Sequence, residues 1–215
     1  MANPFNYAKA LASSRQDSED RAEVFEVGNA LVIALADGAG GVGGGAAASD
    51  ALIRAVRCRI ADATFDAYDL RAWSEVFKST DIGLARQMTG ETTAVVAVIG
   101  PEGIMGISVG DSEAWVLGPV VIDRLTEKQN RKRLGSGGAR AALFHRPMLD
   151  GMLVVGTDGL FKNARPELIS AASTEVNAGA AAEKLAGLPR SSSGHYPDDV
   201  AVVVVVAVTP NGIVP

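Results

Sequence analysis

The most constraining stretch of the chain is Val200–Val208, nine residues that are all valine or alanine. β-Branched side chains are stiff about χ1 and pack well on a pleated surface, so the run favours extended backbone. Alternate side chains of a strand point to opposite faces, and here both faces are apolar. Such a strand belongs in the middle of a sheet that is covered above and below. A second apolar run, Ala30–Ala36, has the same character and ends in an acid, Asp37.

The remaining periodicities suggest an order of elements. Residues 5–14 read as a strand and Arg15–Arg21 as a charged turn. Glu23–Val27 alternates polar and apolar residues, and Gly28-Asn29 suits a tight hairpin turn before Ala30–Ala36. Gly45–Ile60 carries Ala47, Leu52, Ile53 and Val56 as a helical apolar face. Asp69–Met88 repeats this with Leu70, Trp73, Val76 and Phe77, aromatic and aliphatic residues that read as core. The period then returns to two. Thr92–Ile99, Ile104–Val109, Ala114–Leu117 and Val120–Ile122 form a meander with breaks at Gly100–Gly103, Gly110–Ser112 and Gly118-Pro119. Residues 126–147 are polar, basic and glycine-containing and read as a long loop. Met152–Val155 is a buried strand ending in a turn at Gly156–Gly159. Pro166–Ala172 and Glu175–Leu188 read as helices, and Leu188–Pro197 as a loop before the valine strand. Strands, two helices, strands, two helices and a last strand make an α+β chain of layered antiparallel sheets, not alternating βαβ units. No repeat or linker divides the 215 residues.

Composition narrows the function classes. A net charge of −5 argues against a nucleic-acid surface, and the densest basic run, Lys128–Arg133, is short and reads as a solvated loop. The single cysteine, Cys58, rules out an internal disulfide; it reads as a packed or half-exposed thiol with no histidine nearby in sequence. No apolar run approaches the roughly 18 residues that suggest a membrane span. The first residues lack a basic segment followed by an apolar one, so no signal peptide is expected. A cytoplasmic setting, no membrane and no nucleic-acid partner are the resulting expectations.

Six glycines fall within the eight residues after Asp37. Residues 38–43 spell a formal G-x-G-x-x-G between a strand and a helix, the setting of a dinucleotide-binding fingerprint. That fingerprint requires a βαβ unit, whereas the helix here is followed by loop and another helix. An acid directly before the first glycine would also face a pyrophosphate. The other acids offer a second reading. Asp37, Asp111 and Asp158 each follow an apolar strand, Asp198-Asp199 precede the valine strand, and Glu19-Asp20 sit at the turn before another. Singly, each is more often a turn residue or cap. Together at one edge of a sandwich they would repel one another unless cations sat among them. Hard oxygen ligands without cysteine or a histidine pair select magnesium or manganese over zinc. Two such ions suit in-line displacement at phosphorus.

These residues carry a resemblance to the metal-dependent serine/threonine protein phosphatases of the 2C type, running from about Arg15 to Val208. Arg15 precedes Asp20 of Glu19-Asp20 at the family's spacing. Asp37-Gly-Ala-Gly-Gly41 resembles its metal-binding Asp-Gly-x-Gly-Gly, and Glu91-Thr-Thr-Ala94 its Gly-Thr-Thr-Ala strand. Val109-Gly-Asp-Ser112 resembles its Gly-Asp-Ser-Arg turn, Thr157-Asp-Gly-Leu160 its Ser-Asp-Gly-Leu, and Pro197-Asp-Asp-Val-Ala-Val202 its ending. Each piece is short; six in order are specific.

The resemblance implies one phosphatase domain over residues 1–215, a four-layer α-β-β-α sandwich of two antiparallel sheets flanked by helix pairs. It implies two, or with a looser site three, Mg2+ or Mn2+ ions. Asp37 would bridge two of them and the Gly38 carbonyl would bind one. Glu19 or Asp20 would hold the first ion through its waters, Asp158 and Asp198 would complete the other, and Asp111 would pair with Asp158 at the looser third. Arg15 would clamp the phosphate. The implied reaction is hydrolysis of phosphoserine or phosphothreonine in a phosphoprotein by a metal-activated water, opposing a bacterial Ser/Thr kinase. The alternative is a catalytically silent regulator that binds a phosphoprotein or ligand on the same scaffold.

Several positions depart from the family's pattern. Ala39 stands where many eukaryotic members have a histidine thought to protonate the leaving group. His195 is then an alternative to water as proton donor, although it and His145 read as an exposed loop residue and a structural residue. Glu113, Asp199 and Ala201 replace an arginine, an asparagine and a threonine, and the 126–147 region is a shortened flap. None of these changes removes an expected ligand.

Overall fold

The computed structural model describes residues 4–15, 17–39, 44–88, 90–118, 121–127, 129, 132–175 and 177–208. The chain order is β1 (Phe5–Ala12), β2 (Arg21–Val27), β3 (Ala30–Ala36), β4 (Gly38–Ala39), α1 (Gly44–Ile60), α2 (Leu70–Gln87), β5 (Glu91–Thr92), β6 (Ala94–Gly100), β7 (Gly103–Val109), β8 (Glu113–Leu117), β9 (Ile122–Arg124), β10 (Ala142–Arg146), β11 (Met152–Gly156), α3 (Asp158–Phe161), α4 (Pro166–Ser170), a 3-10 turn (Ala171–Thr174), α5 (Ala178–Gly187) and β12 (Val200–Ala207). Two five-stranded antiparallel sheets result, ordered β1-β12-β11-β8-β9 and β10-β7-β6-β3-β2; β4 and β5 pair separately.

The valine strand takes the interior position that its composition requires. β12 pairs with β1 on one side and β11 on the other. Its alternation divides two cores. Ala201, Val203 and Val205 join the core between the sheets, while Val200, Val202 and Val204 face the layer of α3 to α5. β3 does the same in the other sheet: Leu31, Ile33 and Leu35 enter the inter-sheet core, and Val32, Ala34 and Ala36 face α1 and α2. Three apolar layers therefore separate four layers of backbone, which is the α-β-β-α sandwich expected from the sequence. Side chains buried in them contribute about 1.5–3 kcal/mol each for the larger aliphatics.

The layer of α1 and α2 follows the expected faces except at Ala47, which is exposed while its neighbour Ala48 packs into the core. Leu52, Ile53 and Val56 of α1 and Trp73, Val76 and Phe77 of α2 line the first core. Asp69 caps α2, accepting from the N–H groups of Arg71 and Ala72, and the buried Trp73 indole donates to the Ala67 carbonyl at 2.8 Å. The opposite layer is made of shorter pieces. α5 begins at Ala178, not near Glu175, because the Asn177 side chain caps it by accepting from Gly179 and Ala180, while Glu175 is extended. Alanines on its inner face let α5 lie close to β1 and β12.

Several sequence expectations need correction. Ala142–Arg146, read as loop, is the edge strand β10, paired antiparallel with β7. Only Phe144 of its middle three residues turns inward; Leu143 and His145 are exposed, so the run carries little apolar signal. Residues 156–159, read as a turn, lead directly into α3 at Asp158. The strand expected at 92–99 is divided at Thr93 into β5 and β6; of the continuation expected at 120–122, Val120 lies outside the described residues and only Ile122 falls in β9, which runs on to Arg124. Cys58 is exposed on α1. Within the basic run, Lys128, Asn130 and Arg131 lie outside the described residues.

The 132–141 segment is not a free loop. Leu134 and Thr92 exchange both backbone hydrogen bonds. The buried Asp81 of α2 accepts from the backbone N–H groups of Gly135, Gly137 and Ala139 at 2.7, 2.9 and 3.2 Å. One carboxylate thus satisfies three donors that otherwise need water. Asp81→Ala is expected to destabilise the fold by about 1–3 kcal/mol; an unchanged urea midpoint would contradict this role.

Candidate metal centre

β3 ends at Ala36, and the next residue is locked by its backbone. Asp37 N–H donates to Thr93 Oγ1 at 3.0 Å, and its carbonyl accepts from Thr93 N–H and Thr92 Oγ1. Thr93 Oγ1 also lies 2.6 Å from Ser112 Oγ in the turn after β7. Gly110 makes that turn at φ +97°, against Thr93, where a Cβ would lie 2.7 Å from the threonine methyl. These links bring Asp111 beside Asp37. From the other sheet, β11 ends in Thr157 and Asp158. One carboxylate oxygen from each of Asp37, Asp111 and Asp158 lies within 4.8 Å of the others. Asp20 stands one step beyond the Arg21–Ala36 pair of β2 and β3. It is 2% exposed and accepts from the Thr157 hydroxyl at 2.8 Å.

The electrostatics of this edge are severe. Burial pushes the Asp37 carboxyl up to about 9, with the charges of Asp20, Asp158 and Asp111 adding to the effect and Arg133 opposing it. Burial likewise raises Asp20 to about 7; the Thr157 hydroxyl opposes this, and Asp199, Asp158 and Asp198 add to it. Among the described residues no hydrogen-bond donor reaches the Asp37 carboxylate. Oxygen ligands converging this closely fit a hard divalent cation, whose charge removes the mutual repulsion.

The other expected site residues lie around this group. Gly38 is buried against Gly45: a Cβ on Gly38 would lie 2.2 Å from the Gly45 carbonyl oxygen, and one on Gly45 would lie 2.6 Å from Glu19 Oε1. The bare backbones therefore admit the Glu19 carboxylate beside Gly38. Gly40, Gly41 and Gly43 lie outside the described residues. The exposed Arg15 guanidinium pairs with Glu19 through Nη1 and Oε2 at 3.2 Å. Asp198 is half-buried and accepts its neighbour's N–H at 2.9 Å; its charge is felt at Asp20, but it is outside the three-acid group. His195 is exposed in the 188–197 loop and His145 exposed on β10.

Two residues of the site, Lys162 and Arg133, escape the sequence reading, and a third, Asp199, is marked there only as one of the strand-end acids and as a substitution for asparagine. Asp199 is buried and accepts from Ser13 Oγ, Ser14 N–H, Ser14 Oγ and Glu19 N–H at 3.0, 2.8, 2.9 and 3.0 Å. Burial pushes its carboxyl up, but these donors outweigh burial and hold it below the usual range. Asp199 thereby ties down the loop that presents Arg15, Glu19 and Asp20. Lys162 sets Nζ 2.7 Å from Asp111 Oδ2 and 2.5 Å from Asp158 Oδ2, and the two carboxylates, Asp111 first, raise its pKa. Arg133 places Nη2 3.7 Å from Asp111 Oδ1. The i,i+4 spacing of Asp158 and Lys162 was the available signal for one of these contacts, once the turn is recognised as a helix.

No protein-family model matches the sequence, and no curated protein does. Solved structures match the fold. A bacterial serine phosphatase carrying a point mutation superposes with a TM-score of 0.82 at 21% identity, covering 97% of this chain and 100% of its own. The catalytic domain of the serine/threonine protein phosphatase PstP, in complex with two manganese ions, gives 0.78 at 22% identity, covering 95% and 99%. PppA of Pseudomonas aeruginosa gives 0.77 at 18% identity, covering 94% and 97%. The chain therefore has the fold of these bacterial phosphatases along almost its whole length.

The raised carboxyls set the pH dependence of the metal-free protein. Asp20 and Asp37 keep protons in the native state that the unfolded chain releases near pH ~4. The native state thus binds more protons up to about 7 for Asp20 and about 9 for Asp37, and stability falls as pH rises through that window. Asp199 acts in the opposite sense below the window, its stabilisation being lost as pH falls through its depressed pKa. Chelator-treated protein is expected to lose on the order of a few kcal/mol between about pH 5 and 9, and saturating Mn2+ to flatten the slope. Thermal unfolding with and without chelator measures this; a metal-free Tm that rises across the window would contradict it.

Proposed function

We propose that residues 1–215 form one metal-dependent protein-serine/threonine phosphatase domain. The observation that carries this reading is the convergence of Asp37, Asp111 and Asp158 beside the buried Asp20 at one edge of the two-sheet sandwich. The likeness to PstP, whose catalytic domain was solved with two manganese ions, supports the same assignment. Mg2+ and Mn2+ both suit an all-oxygen donor set.

In this reading Asp37 and the Gly38 carbonyl would hold the metal pair, with Glu19 or Asp20 acting through water on one side and Asp158 and Asp198 on the other. When bound, the pair supplies a water of lowered pKa and takes up charge on the phosphoryl oxygens. The chain's own residues do the rest. Asp199 ties Ser13, Ser14 and Glu19 together, and Glu19 pairs with the exposed Arg15 guanidinium. That fork meets two phosphoryl oxygens of a phosphoserine or phosphothreonine. As the water oxygen bonds to phosphorus, the bond to the side-chain oxygen breaks, giving inorganic phosphate and a free hydroxyl. Ala39 carries no proton donor, so water or His195 would supply the proton to the departing oxygen. The substrate is a phosphoprotein, the setting cytoplasmic, and the opposing activity that of a Ser/Thr kinase.

A chelator should abolish phosphopeptide hydrolysis and Mn2+ should restore it, while Asp37→Asn should lower kcat by about a thousandfold or more. Hydrolysis that survives the chelator would refute the metal mechanism. A chain that binds no Mn2+ at millimolar concentration would instead be a silent phosphoprotein- or ligand-binding regulator on this scaffold. Arg15→Ala should raise KM about tenfold with a smaller change in kcat, the loss expected for one charge-assisted phosphate contact; an unchanged KM would take Arg15 out of the phosphate site.

A further inference from the structure

Asp111 and Asp158 are the pair that the resemblance assigns to a third, looser ion, but in this chain their space is already claimed. Lys162 Nζ sits between them, 2.7 Å from Asp111 Oδ2 and 2.5 Å from Asp158 Oδ2. The other oxygen of Asp111 faces the guanidinium of Arg133, with Nη2 at 3.7 Å. Neither cation is there by an accident of a free loop. Lys162 follows α3 directly, one turn after Asp158, and its backbone N–H bonds the Asp158 and Leu160 carbonyls. Arg133 precedes Leu134, which exchanges two backbone hydrogen bonds with Thr92, in a segment anchored on Asp81. By contrast, no ion pair reaches Asp20 or Asp37 among the described residues.

We infer that the Lys162 ammonium replaces the third divalent cation, so that the centre holds two metal ions and one built-in cation. This rests on the metal centre proposed above. A magnesium-sized divalent ion bound to the same two oxygens at about 2.0–2.1 Å would lie inside the volume that the ammonium fills. It could enter only by expelling Lys162 and would then face the positive charge of Arg133. An ammonium is a compact point charge with three donors, suited to donating to two carboxylates at once, and Arg133 adds a second positive charge beside Asp111. It also makes the charge at this corner permanent, independent of the free metal concentration. Lys162 is then a positioning residue: it holds Asp158 in place for the ion that Asp158 shares with Asp37.

Counting bound Mn2+ tests this without reference to turnover. The full chain is equilibrated with millimolar Mn2+ and the bound ions are counted from the free Mn2+ signal in electron paramagnetic resonance. Wild type is expected to bind two, and Lys162→Arg two. Lys162→Ala and Lys162→Gln are expected to bind a third, at least about tenfold more tightly than wild type does. The Lys162 side chain is 58% exposed, so these substitutions leave the core intact. Three ions in the wild type, or two in every variant, would overturn the inference while leaving the two-metal phosphatase standing. No bound Mn2+ in the wild type would overturn both, and the chelator assay on phosphopeptide would report that failure separately.

Discussion

Mutual repulsion among buried carboxylates is the constraint on which the rest of the structure depends. Asp20 and Asp37 lie in surroundings so poor in solvent and so rich in like charge that both hold protons well above the ordinary carboxylate range. Without a cation the edge stays folded because these groups keep their protons, and stability is lost as pH rises and removes them. The fold meets this constraint by committing backbone, not side chains, to the critical position. Asp37 is held through its own N–H and C=O by Thr93 and Thr92, so its carboxylate stays available for a cation. Asp158 and Asp111 are treated differently: Lys162 pairs with both, and Arg133 lies beside Asp111.

The layered architecture makes this concentration of charge affordable in geometric terms. Each central strand divides its side chains between two cores, as the alternation along β3 and β12 shows. With both faces committed to packing, the strand ends are the places where polar chemistry can be presented. β3 and the β6–β7 pair bring Asp37 and Asp111 to one edge, and β11 brings Asp158 to the same edge from the second sheet. The Thr157 hydroxyl, bonded to Asp20 and to the Ala201 N–H, joins the two sheets there. Stability of the cores and placement of the acids are thus consequences of the same strand registers.

Most elements were legible because their signals are local. Ala30–Ala36 and the two long helices fall where period and capping residues place them, and the acids at strand ends were identifiable as a set once their shared position was noticed. Where the reading failed, the local signal was weak or ambiguous. β10 has one large inward side chain, so it resembles a loop. α3 is four residues long and begins with the glycine-flanked acid of an apparent turn. Asp81 carries no local signal, although it anchors three backbone N–H groups from more than 50 residues away.

By itself, the sequence determined the α+β layering, the burial of the valine strand on both faces and the candidate acids Asp20, Asp37, Asp111 and Asp158, because two-residue and 3.6-residue periods and strand-end acids are properties of neighbouring residues. Only the tertiary structure decided which acids meet, which are neutralised internally and what holds them. Asp199 gathers Ser13, Ser14 and Glu19 across a separation of 180 to 186 residues, and Lys162 reaches Asp111 across 51. Such contacts are fixed by sheet order and register, which arise from packing the whole chain at once, and no local pattern encodes them.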